Sequence, residues 1–289
     1  MGLELTDSSL LQGNALINGE WLGADDGATL AVTNPATGAV LAETAKCGGA
    51  ETRRAVEAAA AALPAWRAKT AKERASLLRQ LFDAMLANQE DLARILTAEQ
   101  GKPLAEARGE IAYSASFIEW FAEEGKRLYG DTIPAPGPDK RIVVIKQGIG
   151  VVACITPWNF PSAMLGRKLG PALAAGCTVV CKPANATPLS AYAIGVLAQR
   201  VGIPPGVINI VTGITGEIGD ELTSNPLVRK LTFTGSTVLP QHVFHDVVGY
   251  IERGELTPIL AATYPLSELR EAQTAFIEKR HTGNIVVLP

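Results

Sequence analysis

Residues Val151–Pro183, VVACITPWNFPSAMLGRKLGPALAAGCTVVCKP, restrict the fold more than any other stretch of the chain. The compact apolar run Val151–Ile155 reads as a buried strand, followed by the turn Thr156-Pro157-Trp158-Asn159. Pro161 then opens a helix, because a first helical turn leaves that N–H unbonded anyway and the proline φ is already helical. Met164, Leu165, Leu169 and Leu173 give this helix one apolar face, and Gly176 ends it. Thr178–Cys181 is a second strand that runs into Lys182-Pro183. Strand, helix and strand within about thirty residues make a βαβ unit, which predicts parallel strands joined by a right-handed crossover. Ligands of such sheets sit at the carboxyl ends of the strands. Those ends carry Trp158, Asn159 and Lys182: an aromatic wall, an amide and a cation.

Two more strand–helix steps extend the unit. Thr187 is positioned to cap a helix that starts at Pro188, with Leu189, Ala193, Leu197 and Val201 facing inward and Gly202 as its stop. Val207–Val211 reads as a third strand, a short helix surrounds Ile218 and Leu222, and Lys230–Thr234 reads as a fourth strand. Gly235-Ser236 at its carboxyl end is an ordinary turn, or a place where backbone N–H groups approach a pyrophosphate at a helix N-terminus. Gly148-Ile149-Gly150-Val151-Val152-Ala153 has the letters of a dinucleotide fingerprint. It precedes a strand instead of joining a strand to a helix, so it is set aside.

Upstream, Leu16 to Trp21 predicts a tight hairpin around Asn18-Gly19, and Thr33 to Gly38 is a turn cluster before another short strand. The alanine-rich run Glu51–Leu63 predicts a helix that breaks at Pro64. Thr70 and Glu73 form a capping-box pattern. Leu77/Leu78, Leu81/Phe82 and Met85/Leu86 continue it as one buried face, and Gly101-Lys102-Pro103 closes that set. Ile111, Ala115, Ile118 and Ala122 mark the next helix. Asp131–Asp139 reads as a Pro/Gly loop and Arg141–Ile149 as an exposed strand.

A hydrophobic share of 47% with 19% charged residues suits a globular chain with a substantial core. Net charge is −3 without a basic run, which argues against nucleic acid and anionic membranes as partners. No apolar run approaches membrane-spanning length, and MGLELTDSSLLQG lacks the basic and apolar regions of a signal peptide. No CxxC occurs; the reading is a reduced, cytoplasmic protein without a zinc or disulfide framework. His242 and His245 are expected on a helix surface, with His281 distant, and no metal site is expected.

Pro157-Trp158-Asn159-Phe160-Pro161, Lys182-Pro183-Ala184 and Phe233-Thr234-Gly235-Ser236-Thr237 together resemble the aldehyde dehydrogenase superfamily. The texture around them is similar to its succinate-semialdehyde dehydrogenases. The likeness covers roughly Leu16 to Thr237. It implies a Rossmann-like α/β fold, a parallel sheet flanked by helices, over residues 1–237. Within it, an extended strand at about residues 129–149 would pair with a neighbouring subunit, as in a homo-oligomer. The implied cofactor is NADP or NAD, contacted by Thr156, Pro157, Trp158, Asn159, Lys182, Pro183, Ala184, Asn185, Gly219, Gly235 and Ser236. Many family members place a glutamate where this chain has Asn185, which grips the ribose 2′-OH and repels a 2′-phosphate. A neutral Asn185 admits NADP without excluding NAD. Asn159 would donate to the oxyanion formed during hydride transfer, a contribution of about 3 kcal/mol for a preorganised donor; its bland role is to cap the helix at Pro161. Arg167 would bind the carboxylate of a small aldehyde substrate.

The family reaction also needs a thiolate nucleophile and a general base. Neither of the family's segments for them occurs here, and no cysteine follows Cys181. Cys154, Cys177 and Cys181 fall in or beside buried strands, where thiols are inert packing, and Cys47 falls in a loop. From Val238 the motif pattern fails. Residues 238–289 are read as helix (Val243–Ile251), strand (Thr257–Thr263), helix (Leu266–Lys279, capped by Ser267) and strand (Asn284–Leu288). This short α/β tail resembles the C-terminal end of medium-chain alcohol dehydrogenases and quinone oxidoreductases. The resemblances imply a truncated, fused dehydrogenase that oxidises succinate semialdehyde by kinship but lacks the nucleophile. The alternatives are a non-catalytic nucleotide-binding or subunit-interaction module, and a gene-fusion relic.

Overall fold

The computed structural model describes residues 3–235, 260–265 and 284–288. The chain divides into two compact units, Met1–Ser236 and Thr237–Pro289.

The first unit is built on a six-stranded sheet. Four strands are parallel neighbours: β7 (Val151–Ile155), β8 (Thr178–Lys182), β9 (Ile208–Ile210) and β10 (Val228–Phe233), the last pairing with the free side of β7. The N-terminal hairpin is not a separate element. Its strands β1 (Ala15–Ile17) and β2 (Glu20–Leu22) continue the sheet antiparallel beyond β9, giving the order β10-β7-β8-β9-β1-β2. Asn18 (φ 52°) and Gly19 (φ 82°) both adopt the left-handed conformation that a two-residue hairpin turn demands.

Alternation along the strands sorts the core onto two faces. Val152, Cys154, Val179 and Cys181 pack with α5 (Pro161–Ala174) and α6 (Leu189–Arg200). Behind those helices lie α2 (Ala71–Ala87), α3 (Gln89–Gln100) and α4 (Leu104–Glu124). Val151, Ala153, Val180 and Val211 pack with α1 (Gly49–Ala68) and α7 (Thr215–Ser224) on the other face. Helix α4 approaches α5 closely because α5 carries Gly166 and Gly170. A Cβ at these positions would lie 2.8 Å from the Ser114 carbonyl oxygen and 2.9 Å from that of Phe117.

The βαβ core matches its sequence reading, including the helix start at Pro161 and a left-handed Gly176 at its end. The Thr70–Glu73 capping box is present. Three expectations fail. Helix α1 runs through Pro64 to Ala68. Its last turn is anchored by Trp66, which is buried and donates from Nε1 to the Leu173 carbonyl at 3.2 Å, offsetting the hydrogen bond the proline removes. Asp131–Asp139 is not all loop: β5 (Asp131–Pro134) pairs antiparallel with β6 (Arg141–Val144), which ends well before Ile149. Thr187 does not cap α6, and its hydroxyl has no partner among the described residues. The cap is the Glu99 carboxylate, which accepts from Leu189 N at 2.7 Å and Ser190 N at 2.8 Å. A second small hairpin pairs β3 (Thr29–Thr33) with β4 (Val40–Ala45).

In the second unit, β11 (Leu260–Pro265) pairs parallel with β12 (Asn284–Leu288). The first strand runs to Pro265, past the Thr263 expected as its end. The helices read at Val243–Ile251 and Leu266–Lys279, with His242, His245, Ser267 and His281, lie outside the described residues, as does Ser236. No helix among the described residues is long and apolar enough to cross a membrane.

Candidate functional site

The strand order reverses between β7 and β10, and a crevice opens at the carboxyl ends on either side of such a reversal. Backbone bonds tie the exits together. Thr156 N donates to Lys182 O (3.1 Å), Thr234 N to Ile155 O (3.1 Å) and Val211 N to Cys181 O (2.9 Å).

Lys182 ends β8 with only 4% of its surface exposed. Its ammonium faces the Pro183 carbonyl (3.3 Å) and Asn185 Oδ1 (3.4 Å). Burial pulls its pKa down to about 8, and it has no carboxylate partner among the described residues. Asn185 Nδ2 donates to Gly213 O at 2.7 Å, and its Oδ1 accepts from Gly213 N at 3.3 Å. The Lys182–Asn185 turn, which contains Pro183 and Ala184, is thereby joined to the start of α7, whose early turns include Gly219. A Cβ at Gly219 would meet no neighbouring atom. Gly235 lies exposed just past β10.

The Thr156–Phe160 loop follows β7. Thr156 is buried and its hydroxyl has no partner among the described residues, while Pro157 is half-buried. Trp158 is 58% exposed, and Asn159 and Phe160 are exposed. Asn159 does not cap α5; the helix follows Phe160 without a side-chain cap from that residue. Its free N–H groups are taken by Glu110, whose Oε1 accepts from Ser162 N (2.9 Å) and Ala163 N (3.1 Å). A carboxylate already occupies that anion-favouring terminus. The Asn159 side-chain amide has no protein partner among the described residues, so it is free for a ligand.

Arg167, on α5, stacks 5.0 Å from the Phe117 ring and donates to the Tyr113 hydroxyl at 3.3 Å. It has no carboxylate partner among the described residues. Beside it, Lys168 is buried and donates to the hydroxyls of Thr232 (3.1 Å) and Thr234 (2.8 Å), reaching across to β10. Burial lowers its pKa. Arg167, Lys168, Lys230 and Thr232 line a cavity of about 370 Å³ on this side of the sheet. Lys168 escaped the sequence reading. Its signal is its place beside Leu169 on a helix whose other buried residues are apolar or small.

All four cysteines are free and buried. Burial pushes the Cys47 thiol up to about 12. Cys181 is raised by its hydrogen bond to Cys154 and by burial. A thiol so held is neither ionised at neutral pH nor open to an aldehyde.

The sequence profile of the aldehyde dehydrogenase family matches residues 21–256. The chain belongs to the aldehyde dehydrogenase family. The family match continues past Thr237, where the motif pattern read from the sequence stops. Glutarate-semialdehyde dehydrogenase of Pseudomonas putida is 63% identical over 254 residues, covering 88% of this chain and 53% of that protein. The NADP(+) succinate-semialdehyde dehydrogenase of Escherichia coli is 61% identical over 254 residues, with the same two coverages. The crystal structure of succinate-semialdehyde dehydrogenase from Burkholderia pseudomallei superposes with a TM-score of 0.83 at 58% identity, covering 91% of this chain and 54% of that one. The chain thus spans about half the length of these aldehyde dehydrogenase relatives.

Proposed function

We propose that the carboxyl edge of β7, β8 and β10 is the nicotinamide-nucleotide side of a semialdehyde dehydrogenase site, taking NADP or NAD. The observation that carries this reading is the cluster of Lys182, Asn185 and Gly213: a nearly buried cation with no carboxylate partner among the described residues, beside a neutral amide, at a strand end on the crevice. A phosphate or ribose hydroxyl supplies what Lys182 lacks. The E. coli relative's NADP(+) dependence supports the same assignment. In this reading Thr156 to Asn159 border the nicotinamide end, and Gly219 and Gly235 the adenosine and phosphate end.

A bound nicotinamide nucleotide would supply the hydride acceptor of the family reaction, in which a nucleophile first adds to the aldehyde carbon. The chain's own part is to place Asn159 as donor to the carbonyl oxygen, and Arg167 as partner to a distal carboxylate such as that of succinate semialdehyde. The four-carbon and five-carbon semialdehydes named for the relatives both carry that group. With every thiol buried, this chain binds these ligands without turning them over. The aldehyde dehydrogenase match extends into the tail as far as residue 256, so the medium-chain dehydrogenase reading of the tail rests on sequence texture alone and only beyond that point. Titration with NADPH, monitored by fluorescence, tests the reading: a saturable signal lost in Lys182→Ala supports it, and no saturation in the intact chain refutes it.

A second reading, as a subunit-interaction module, is favoured by the β5–β6 hairpin. Its Ile133, Ile142, Val143 and Val144 are all exposed. Light scattering decides it: a stable oligomer that falls to monomer in Val143→Asp supports the module, and a monomeric parent chain excludes self-pairing.

A further inference from the structure

The loop carrying Trp158 and Asn159 is exposed, yet a cation from another element holds it. Lys102 follows the left-handed Gly101 that ends α3. Its Nζ donates to the Asn159 carbonyl at 3.2 Å, lies 2.5 Å from Glu110 Oε2, and sits 3.9 Å from the centre of the Phe160 ring. The other Glu110 oxygen caps α5. One carboxylate therefore fixes the helix that the loop leads into, and through Lys102 it fixes the loop itself. The pair is withdrawn from water, with 10% of the lysine and 1% of the glutamate side chain exposed.

A buried ion pair is a poor source of stability, since a hydrophobe of similar volume fills the space without the desolvation cost. A hydrophobe does not donate to the Asn159 carbonyl. That bond, together with the Phe160 contact, restrains the segment just before α5. We propose that Lys102 is a positioning residue: through the Asn159 carbonyl it sets the direction in which the Asn159 amide and Trp158 ring face the cleft. The consequence for ligand affinity rests on the nucleotide reading above. The consequence for loop geometry does not.

The test uses the full chain labelled with 5-fluorotryptophan, whose four tryptophans give separate fluorine resonances, that of Trp158 being assigned by Trp158→Phe. Two variants are compared with the parent. Lys102→Met removes the tether. Lys102→Met/Glu110→Gln removes both charges, leaves an amide oxygen to cap α5, and so keeps the test valid should the single variant fail to fold. The expected result is a shift of the Trp158 resonance with Trp21, Trp66 and Trp120 unmoved, an NADPH affinity about tenfold weaker, and recovery of both in Lys102→Arg. An unmoved Trp158 resonance, or a shift of all four together, overturns the proposal. If the parent chain does not bind NADPH, the nucleotide reading fails while the Trp158 resonance still decides the role of Lys102.

Discussion

The side chain of Asn185 closes on both backbone groups of Gly213, donating to its carbonyl at 2.7 Å and accepting from its N–H at 3.3 Å. One amide thus joins the end of β8 to the turn before α7 and places a neutral group beside Lys182. A carboxylate cannot reproduce this, because it has no donor for the Gly213 carbonyl. Asn185→Glu is expected to weaken NADPH binding by about tenfold or more through like-charge contact with the 2′-phosphate. NADH, without that phosphate, is expected to lose much less. Calorimetric titration of both nucleotides checks the difference; an equal loss for both would show that the amide acts only on the fold.

Gly213 itself has φ +141°, and a Cβ there would run into the backbone of Cys47, with which Gly213 forms a bridge. Gly213→Ala is expected to destabilise the chain by roughly 2–4 kcal/mol. Urea unfolding measures this; a loss below about 0.5 kcal/mol, the range of ordinary surface changes, would contradict it.

Glu99 gives stability an unusual pH slope. Burial pushes its carboxyl up to about 7, against its hydrogen bonds from Ser190 and Leu189. Its folded pKa lies above the unfolded value, so the native state binds the extra proton between the two. Its stabilising contribution is therefore complete below about 4.5 and is lost as pH rises through about 7. The expected outcome is a urea midpoint that declines from pH 5 to 7.5 more steeply in the parent than in Glu99→Gln. Parallel profiles for the two would refute the assignment.

The cysteines give a direct chemical readout. With Cys47, Cys154, Cys177 and Cys181 all buried, a disulfide reagent such as DTNB is expected to label less than about one thiol per native chain, and four after denaturation. Rapid labelling of a native thiol would reopen the question of a nucleophile in this chain.

What the sequence disclosed follows the range of the forces involved. The βαβ unit was legible because its signals are local: apolar runs, Pro161 at a helix start and Gly176 at its end. Its ligand edge was legible through Trp158, Asn159 and Lys182, which follow the strands directly. The misreadings share one cause, a partner that local composition does not reveal. Pro64 should end α1 by local rules, but Trp66 finds the Leu173 carbonyl. Thr187 should cap α6, but Glu99, 90 residues before Leu189, takes the position. Asp131–Pro134 has loop composition and becomes a strand only because Arg141–Val144 returns beside it. Lys102, Glu110 and Lys168 were missed for a related reason. Charges near apolar helix faces announce themselves only once their partners are known, although Glu110, between Ala107 and Ile111 on a buried stripe, carried that signal.

The account turns on Lys182 as the anchor of a nicotinamide nucleotide, and calorimetric titration of the intact chain with NADPH at pH 7 and pH 9 tests it most directly. Because burial holds the Lys182 pKa down to about 8, its positive charge is present at the lower pH and largely lost at the higher. The expected result is one saturable site at pH 7, weakened at pH 9 and weakened about tenfold or more at pH 7 in Lys182→Met, with Lys182→Arg insensitive to the pH change. An intact chain that shows no saturable heat at pH 7, or a Lys182→Met variant that binds as tightly as the parent, would contradict the account.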